Sequence, residues 1–133
     1  MFDVLIMDHD QGLLEGLKTL FTKNGLRVIT FSPRYDISHL VDIHNPRLVL
    51  VGYLMGQING GELCTVIKEN PETAHIPVII FSDHDRIFNA LGNYGCDLFL
   101  PKTADVSTLL LNVKQLLAVK TIINPINTKY DFR

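Results

Sequence analysis

Two carboxylates and an imidazole stand together at Asp8-His9-Asp10, directly after the apolar run Val4-Leu5-Ile6-Met7. A short run of that kind predicts a buried strand, and the carboxyl ends of such strands are where open α/β sheets place their chemistry. Taken alone, the three residues suit a solvated strand-to-helix connection with an aspartate N-cap, and His9 beside acids suits an exposed side chain better than a transition-metal ligand. A second apolar run, Leu48-Val49-Leu50-Val51, opens onto Gly52, which has no functional group at all. Ser82 closes a third run and Lys102 follows Pro101 in a turn; alone these read as a backbone cap and a solvated cation. Asn59-Gly60-Gly61 has neither a Walker lysine nor a G-x-G-x-x-G spacing, so it is no phosphate loop.

The elements that must position these residues alternate. After Val4–Met7, the residues Leu13, Leu14, Leu17, Leu20 and Phe21 recur at helical spacing until Asn24-Gly25 stops them. Leu26–Phe31 is rich in β-branched residues, and Ser32-Pro33 predicts the N-cap and first turn of a helix through Ile37, Leu40 and Val41. Asn45-Pro46 ends it. Leu48–Val51 then predicts a third strand, a loop, and a helix from Gly61 to Glu69. Val78–Phe81 predicts a fourth strand, Asp85 to about Asn93 a short helix, Leu98–Leu100 a fifth strand, and Val106 through Leu117 a final helix. Alternation of this kind implies right-handed crossovers and one parallel sheet covered on both faces, a flavodoxin-like doubly wound (βα)5 fold with strand order 2-1-3-4-5. Residues 1–119 form the domain, and 120–133, interrupted by Pro125, form a C-terminal tail, docking arm or linker start.

Bulk properties narrow the function. The chain has 133 residues, 47% hydrophobic and 20% charged, which suits one domain with a real core. A net charge of −2 provides no cationic excess for nucleic acid or anionic lipid. The N-terminus has no basic region and meets an acid after four apolar residues, so neither a signal peptide nor a membrane span is expected, and a cytoplasmic protein follows. Cys64 and Cys96 are isolated in sequence and are expected to stay free thiols.

Read together, the strand ends resemble the receiver domain of two-component response regulators over residues 2 to about 118. Leu5 to Asp10 is similar to the first-strand acidic motif, Pro46 to Leu63 to the acceptor strand and its Asn-Gly loop, Pro77 to Ser82 to the strand ending in Ser or Thr, and Gly95 to Lys102 to the glycine-to-lysine segment. The resemblance implies a histidine kinase donor, an aspartate acceptor at the end of the third strand, and Mg²⁺ held by the acids. Here the acceptor position holds Gly52, and no Asp or Glu occurs from Pro46 to Gly61. His9 stands where the family usually has a metal-contacting acid, Thr103 replaces a common proline, and the spacing from Ser82 to Lys102 is short. Phe99 matches the switch aromatic.

Glycine cannot act as a nucleophile. The expected site is therefore a degenerate phosphorylation pocket of Asp8, His9, Gly52, Ser82 and Lys102, with no enzymatic activity, no metal site, and Mg²⁺ binding weak or absent. Lys102 is expected to pair directly with Asp8 at a partly buried position. The function implied is a pseudo-receiver that signals by protein–protein interaction with a histidine kinase or another regulator. The resemblance also implies an interaction face of the fourth helix, fifth strand and fifth helix, which in the family often dimerises and here would include parts of Ile87 to Leu91, Phe99 and the outward side of Val106 to Leu117, so that a homodimer is one partner option. Two rivals stay open: a phosphorelay receiver with a substitute acceptor at Asp8, Asp10 or Tyr53, and a small-ligand sensor using the space at Gly52 with Lys102 and Ser82.

Overall fold

The computed structural model describes residues 1–83, 95–102 and 104–130, the stretch 119–130 as backbone. Its elements are β1 (Val4–Met7), α1 (Gln11–Lys23), β2 (Val28–Phe31), α2 (Ile37–His44), β3 (Leu48–Gly52), β4 (Leu54–Met55), β5 (Ile58–Asn59), α3 (Gly60–Glu69), β6 (Val78–Ser82), β7 (Leu98–Pro101) and α4 (Val106–Tyr130). Five strands form a parallel sheet in the order β2-β1-β3-β6-β7, which is 2-1-3-4-5 when these strands are counted alone. The helix expected at Asp85–Asn93 and Thr103 lie outside the described residues. The backbone of α4 stays helical across 120–130, the segment set apart by sequence as a tail or linker start.

Alternating strand residues divide the core. Leu5, Met7, Val49, Val51, Val78 and Ile80 pack on one face with Ile37, Leu40, Val41, Cys64 and Ile67 from α2 and α3. Val4, Ile6, Leu48, Leu50, Ile79 and Phe81 pack on the other with Leu14, Leu17 and Phe21 from α1 and Leu109, Val113 and Leu117 from α4. Burial of each such aliphatic chain contributes about 1.5–3 kcal/mol before entropy is subtracted. The central strands β1, β3 and β6 are buried throughout, as their unbroken apolar runs require, whereas β2 and β7 at the edges are only partly covered.

Local chemistry sets the helix ends. Asp10 caps α1, its carboxylate accepting from the Leu13 N–H at 3.1 Å, and Gly25 leaves the helix with a φ of 85°. The start of α2 differs from the sequence expectation: Asp36, not Ser32, is its N-cap, accepting from the Ser38 N–H at 3.1 Å. Residues after β3 also differ, since part of the expected loop is a small antiparallel ribbon of β4 and β5, and α3 starts at Gly60. Among the described residues no helix is long and apolar enough to cross a membrane.

Candidate functional site

Parallel pairing in register brings the strand ends to one edge. Met7 lies opposite Val51, Gly52 opposite Phe81, and Ser82 opposite Pro101, so Asp8, Gly52, Ser82 and Lys102 all fall at or just past a carboxyl end. Asp8 is held by its N–H, which donates to the Phe31 carbonyl at 3.2 Å, and is only 2% exposed. Its two oxygens are both engaged. Oδ2 lies 3.0 Å from Lys102 Nζ, while Oδ1 accepts the Asp10 N–H at 3.1 Å and lies 3.2 Å from His9 Nδ1. Lys102, whose side chain is 14% exposed, is fixed by its backbone N–H donating to the Ser82 carbonyl at 2.6 Å. The expected direct pair between Lys102 and Asp8 is present, at the partly buried position foreseen.

Gly52 is buried at the end of β3, and the space where its side chain would stand is taken. A Cβ built there meets Asp8 Oδ2 closer than the 3.0 Å limit of real Cβ contacts, and lies 3.1 Å from both Asp8 Cγ and Met55 Cγ. The Asp8 carboxylate therefore leans into the volume that a side chain at residue 52 would need. The loop after β3 closes on the same spot: Tyr53 N–H donates to the Phe81 carbonyl at 2.8 Å, and Gly60 N–H donates to the Tyr53 carbonyl at 2.6 Å. Gly60 passes so near the Gly52 carbonyl that any Cβ there would overlap it, so this position requires glycine. Asn59 caps α3 behind the loop, accepting from the Gly61 N–H at 2.7 Å.

The other predicted residues separate. His9 is half exposed beside Asp8, and Asp10 spends its carboxylate on the α1 cap. Ser82 is buried at the end of β6. Phe99 is turned into the core, 7% exposed, with its ring centroid 5.9 Å from that of Tyr53. It therefore adds little open surface to the face expected to bind partners, a correction to the sequence expectation. On that face Ile87 to Leu91 lies outside the described residues, and Val106 and Leu111 of α4 are exposed.

Sequence reasoning overlooked a second charged cluster, at the opposite end of the sheet. Buried Asp3 accepts from the Arg27 N–H at 2.8 Å and pairs with Arg47 Nη1 at 3.1 Å, while Arg47 Nη2 donates to the Leu117 carbonyl at 3.3 Å. Burial pushes the Asp3 carboxyl upward, but the Arg27 N–H and the two guanidinium groups outweigh it and hold it below its usual value. This cluster ties the starts of three strands to α4.

Comparison with known proteins places the architecture. Residues 4–114 match the family described as the response regulator receiver domain. The chain belongs to that family. It is 31% identical to Protein PilG of Pseudomonas aeruginosa over 114 residues, covering 84% of each chain. To the heme response regulator HssR of Staphylococcus saprophyticus it is 27% identical over 119 residues, or 88% of this chain and 52% of the relative, so it spans about half of that relative's length. The solved receiver domain of a signal transduction histidine kinase from Syntrophus aciditrophicus superposes with a TM-score of 0.75 at 24% identity, over 89% of this chain and 91% of that one, which speaks for the fold. The protein is thus a receiver domain of two-component signalling with the flavodoxin-like topology.

Proposed function

We propose that this receiver is a pseudo-receiver: a non-enzymatic signalling module that binds its partners without phosphorylation at the end of β3. One observation carries the proposal. Residue 52 has no side chain, and the Asp8 carboxylate, paired with Lys102 at 3.0 Å, projects into the volume an acceptor would need. The same geometry suits magnesium poorly. A hard divalent cation needs free carboxylate oxygens, whereas Asp8 uses one oxygen on Lys102 and the other on the Asp10 N–H and His9, and Asp10 is committed to a helix cap. It also disfavours a small anion, because Lys102 is already neutralised.

Partners of the expected class are a histidine kinase or another regulator, and the exposed Val106 and Leu111 on α4 support a protein contact there, including a homodimer. A second reading makes Asp8 a substitute acceptor, since its Oδ2 lies beside Lys102; its 2% exposure weighs against attack on a donor. Incubation with acetyl phosphate and Mg²⁺ followed by intact-mass measurement separates the two. The expected result is an unchanged mass. A phosphoryl gain abolished by Asp8→Asn would establish the second reading, and a gain that persists would place the acceptor elsewhere and end the proposal.

A further inference from the structure

Cys64 and Cys96, far apart in sequence, are brought to one core cluster by the fold. Cys64 sits on α3, fully buried in the core cluster on that face of the sheet, and the half-buried Cys96 packs against the same cluster from the turn before β7. Both flanks of Cys96 lie beside the next turn of α3. Lys68, one helical turn beyond Cys64 and so on the same face, pairs through Nζ with Asp97 Oδ2 at 2.8 Å. Its Cγ lies 3.8 Å from where a Cβ on Gly95 would stand. Asp97 is anchored in turn to β6, donating its N–H to the Val78 carbonyl at 2.9 Å and accepting the Val78 N–H at 2.7 Å. The neighbouring Cys96, with burial, raises the Cys64 thiol, and the neighbouring Cys64 lowers the Cys96 thiol against its own burial.

We propose that Cys96 and Cys64 form a peroxide-oxidised pair, with Cys96 the sulfur attacked first and Cys64 the resolving thiol. The Cys96 thiolate attacks one oxygen of a hydroperoxide such as hydrogen peroxide; the O–O bond breaks, the departing hydroxide takes a proton as water, and a sulfenic acid remains. Cys64 sulfur then attacks that sulfur, its proton leaves with the displaced hydroxyl as a second water, and a disulfide forms. The two electrons lost by the thiol pair reduce the peroxide. Cys96 alone meets the access requirement, being partly exposed, and Cys64 needs only to reach its neighbour. The product would tether α3 to the start of β7, three residues before Phe99.

The full chain, treated with hydrogen peroxide and then with a maleimide, tests this by intact mass and non-reducing peptide mapping. Expected are the loss of two hydrogens, no maleimide label, a Cys64–Cys96 cross-linked peptide within one chain, and reversal by a dithiol. Cys64→Ser should accumulate a single oxygen trapped by dimedone on Cys96, and Cys96→Ser should react at least about tenfold more slowly. Two maleimide-reactive thiols after peroxide, or a cross-link between chains, overturns the proposal. Should Cys64→Ser fail to fold, iodoacetamide on the native wild type decides the order: Cys96 is labelled at least about tenfold faster than Cys64, and equal rates refute the assignment.

Discussion

A single methyl group at residue 52 probes the pocket directly. In Gly52→Ala the new carbon falls within 3.0 Å of Asp8 Oδ2 and 3.1 Å from Asp8 Cγ and Met55 Cγ. Asp8 has little room to yield, because its short side chain is 2% exposed and fastened to Lys102 at 3.0 Å and to the Asp10 N–H at 3.1 Å. Turning the carboxylate away separates it from Lys102, and breaking one side of a buried ion pair costs about 3–5 kcal/mol. Lys102 is 14% exposed and recruits water more easily than Asp8, which favours the lower end, about 3 kcal/mol. For a domain of this size that lowers Tm by roughly 10 °C. Urea and thermal unfolding followed by far-UV circular dichroism give the number. An alanine variant within about 0.5 kcal/mol of wild type would show that Asp8 does not fill this space. Gly52→Asp adds a second carboxylate against one lysine, so it should be at least as unstable, and Mg²⁺ should recover part of the loss through preferential binding to the folded state. Wild type should show no Mg²⁺-dependent shift.

The ion pair and the Asp3 cluster give two further tests. Lys102→Met strands a nearly inaccessible carboxylate and should cost about 3–5 kcal/mol, Asp8→Ala less, and the double variant less than the sum by roughly 0.5–3 kcal/mol in a denaturant cycle; strict additivity would mean the pair is not coupled. Asp3→Asn should cost about 1–3 kcal/mol at neutral pH, because a charged acceptor of the Arg27 N–H and Arg47 is lost. The folded-state value of Asp3 is lowered from 3.8, so its contribution is present above that pH and disappears as pH falls through the lower folded value. The gap between wild type and Asp3→Asn in urea midpoint should accordingly narrow from about pH 7 to about pH 3, and a constant gap would refute the assigned cause.

The strands were legible because Val4–Met7, Leu48–Val51 and Val78–Phe81 are buried on both faces and therefore read as unbroken apolar runs. The strand ends were legible for the same reason, since a parallel sheet lines them up. Local competition was harder to read. Ser32-Pro33 has the chemistry of a helix start, yet Tyr35 N–H donates to the Ser32 carbonyl in a turn and Asp36 makes the cap. Two-residue strands such as β4 and β5 carry no periodicity, so the ribbon over Gly52 left no pattern. Asp3, Arg27 and Arg47 come from the starts of three different strands, and Cys64 and Cys96 from a helix and a turn that the sheet order brings together; contacts of that kind are set by topology. At the site, the pairing of Asp8 with Lys102 followed from charge, but the occupation of the volume at residue 52 required coordinates.

On the proposed reading, the consequence for signalling follows from what a switch requires. A two-state receiver responds only to a ligand that binds its two states unequally, and a phosphoryl group supplies that difference when an acceptor holds it. Here Lys102 is already satisfied by an internal carboxylate, and Phe99 is already turned inward against Tyr53. Both groups thus have an internal partner in place of an external one, and on this reading the signal lies in the presence of the protein. The Cys64–Cys96 pair is placed to be the exception. It lies on α3 and the approach to β7, outside the pocket at the strand ends, so on the proposal its oxidation acts on the strand carrying Phe99 and leaves Gly52 untouched.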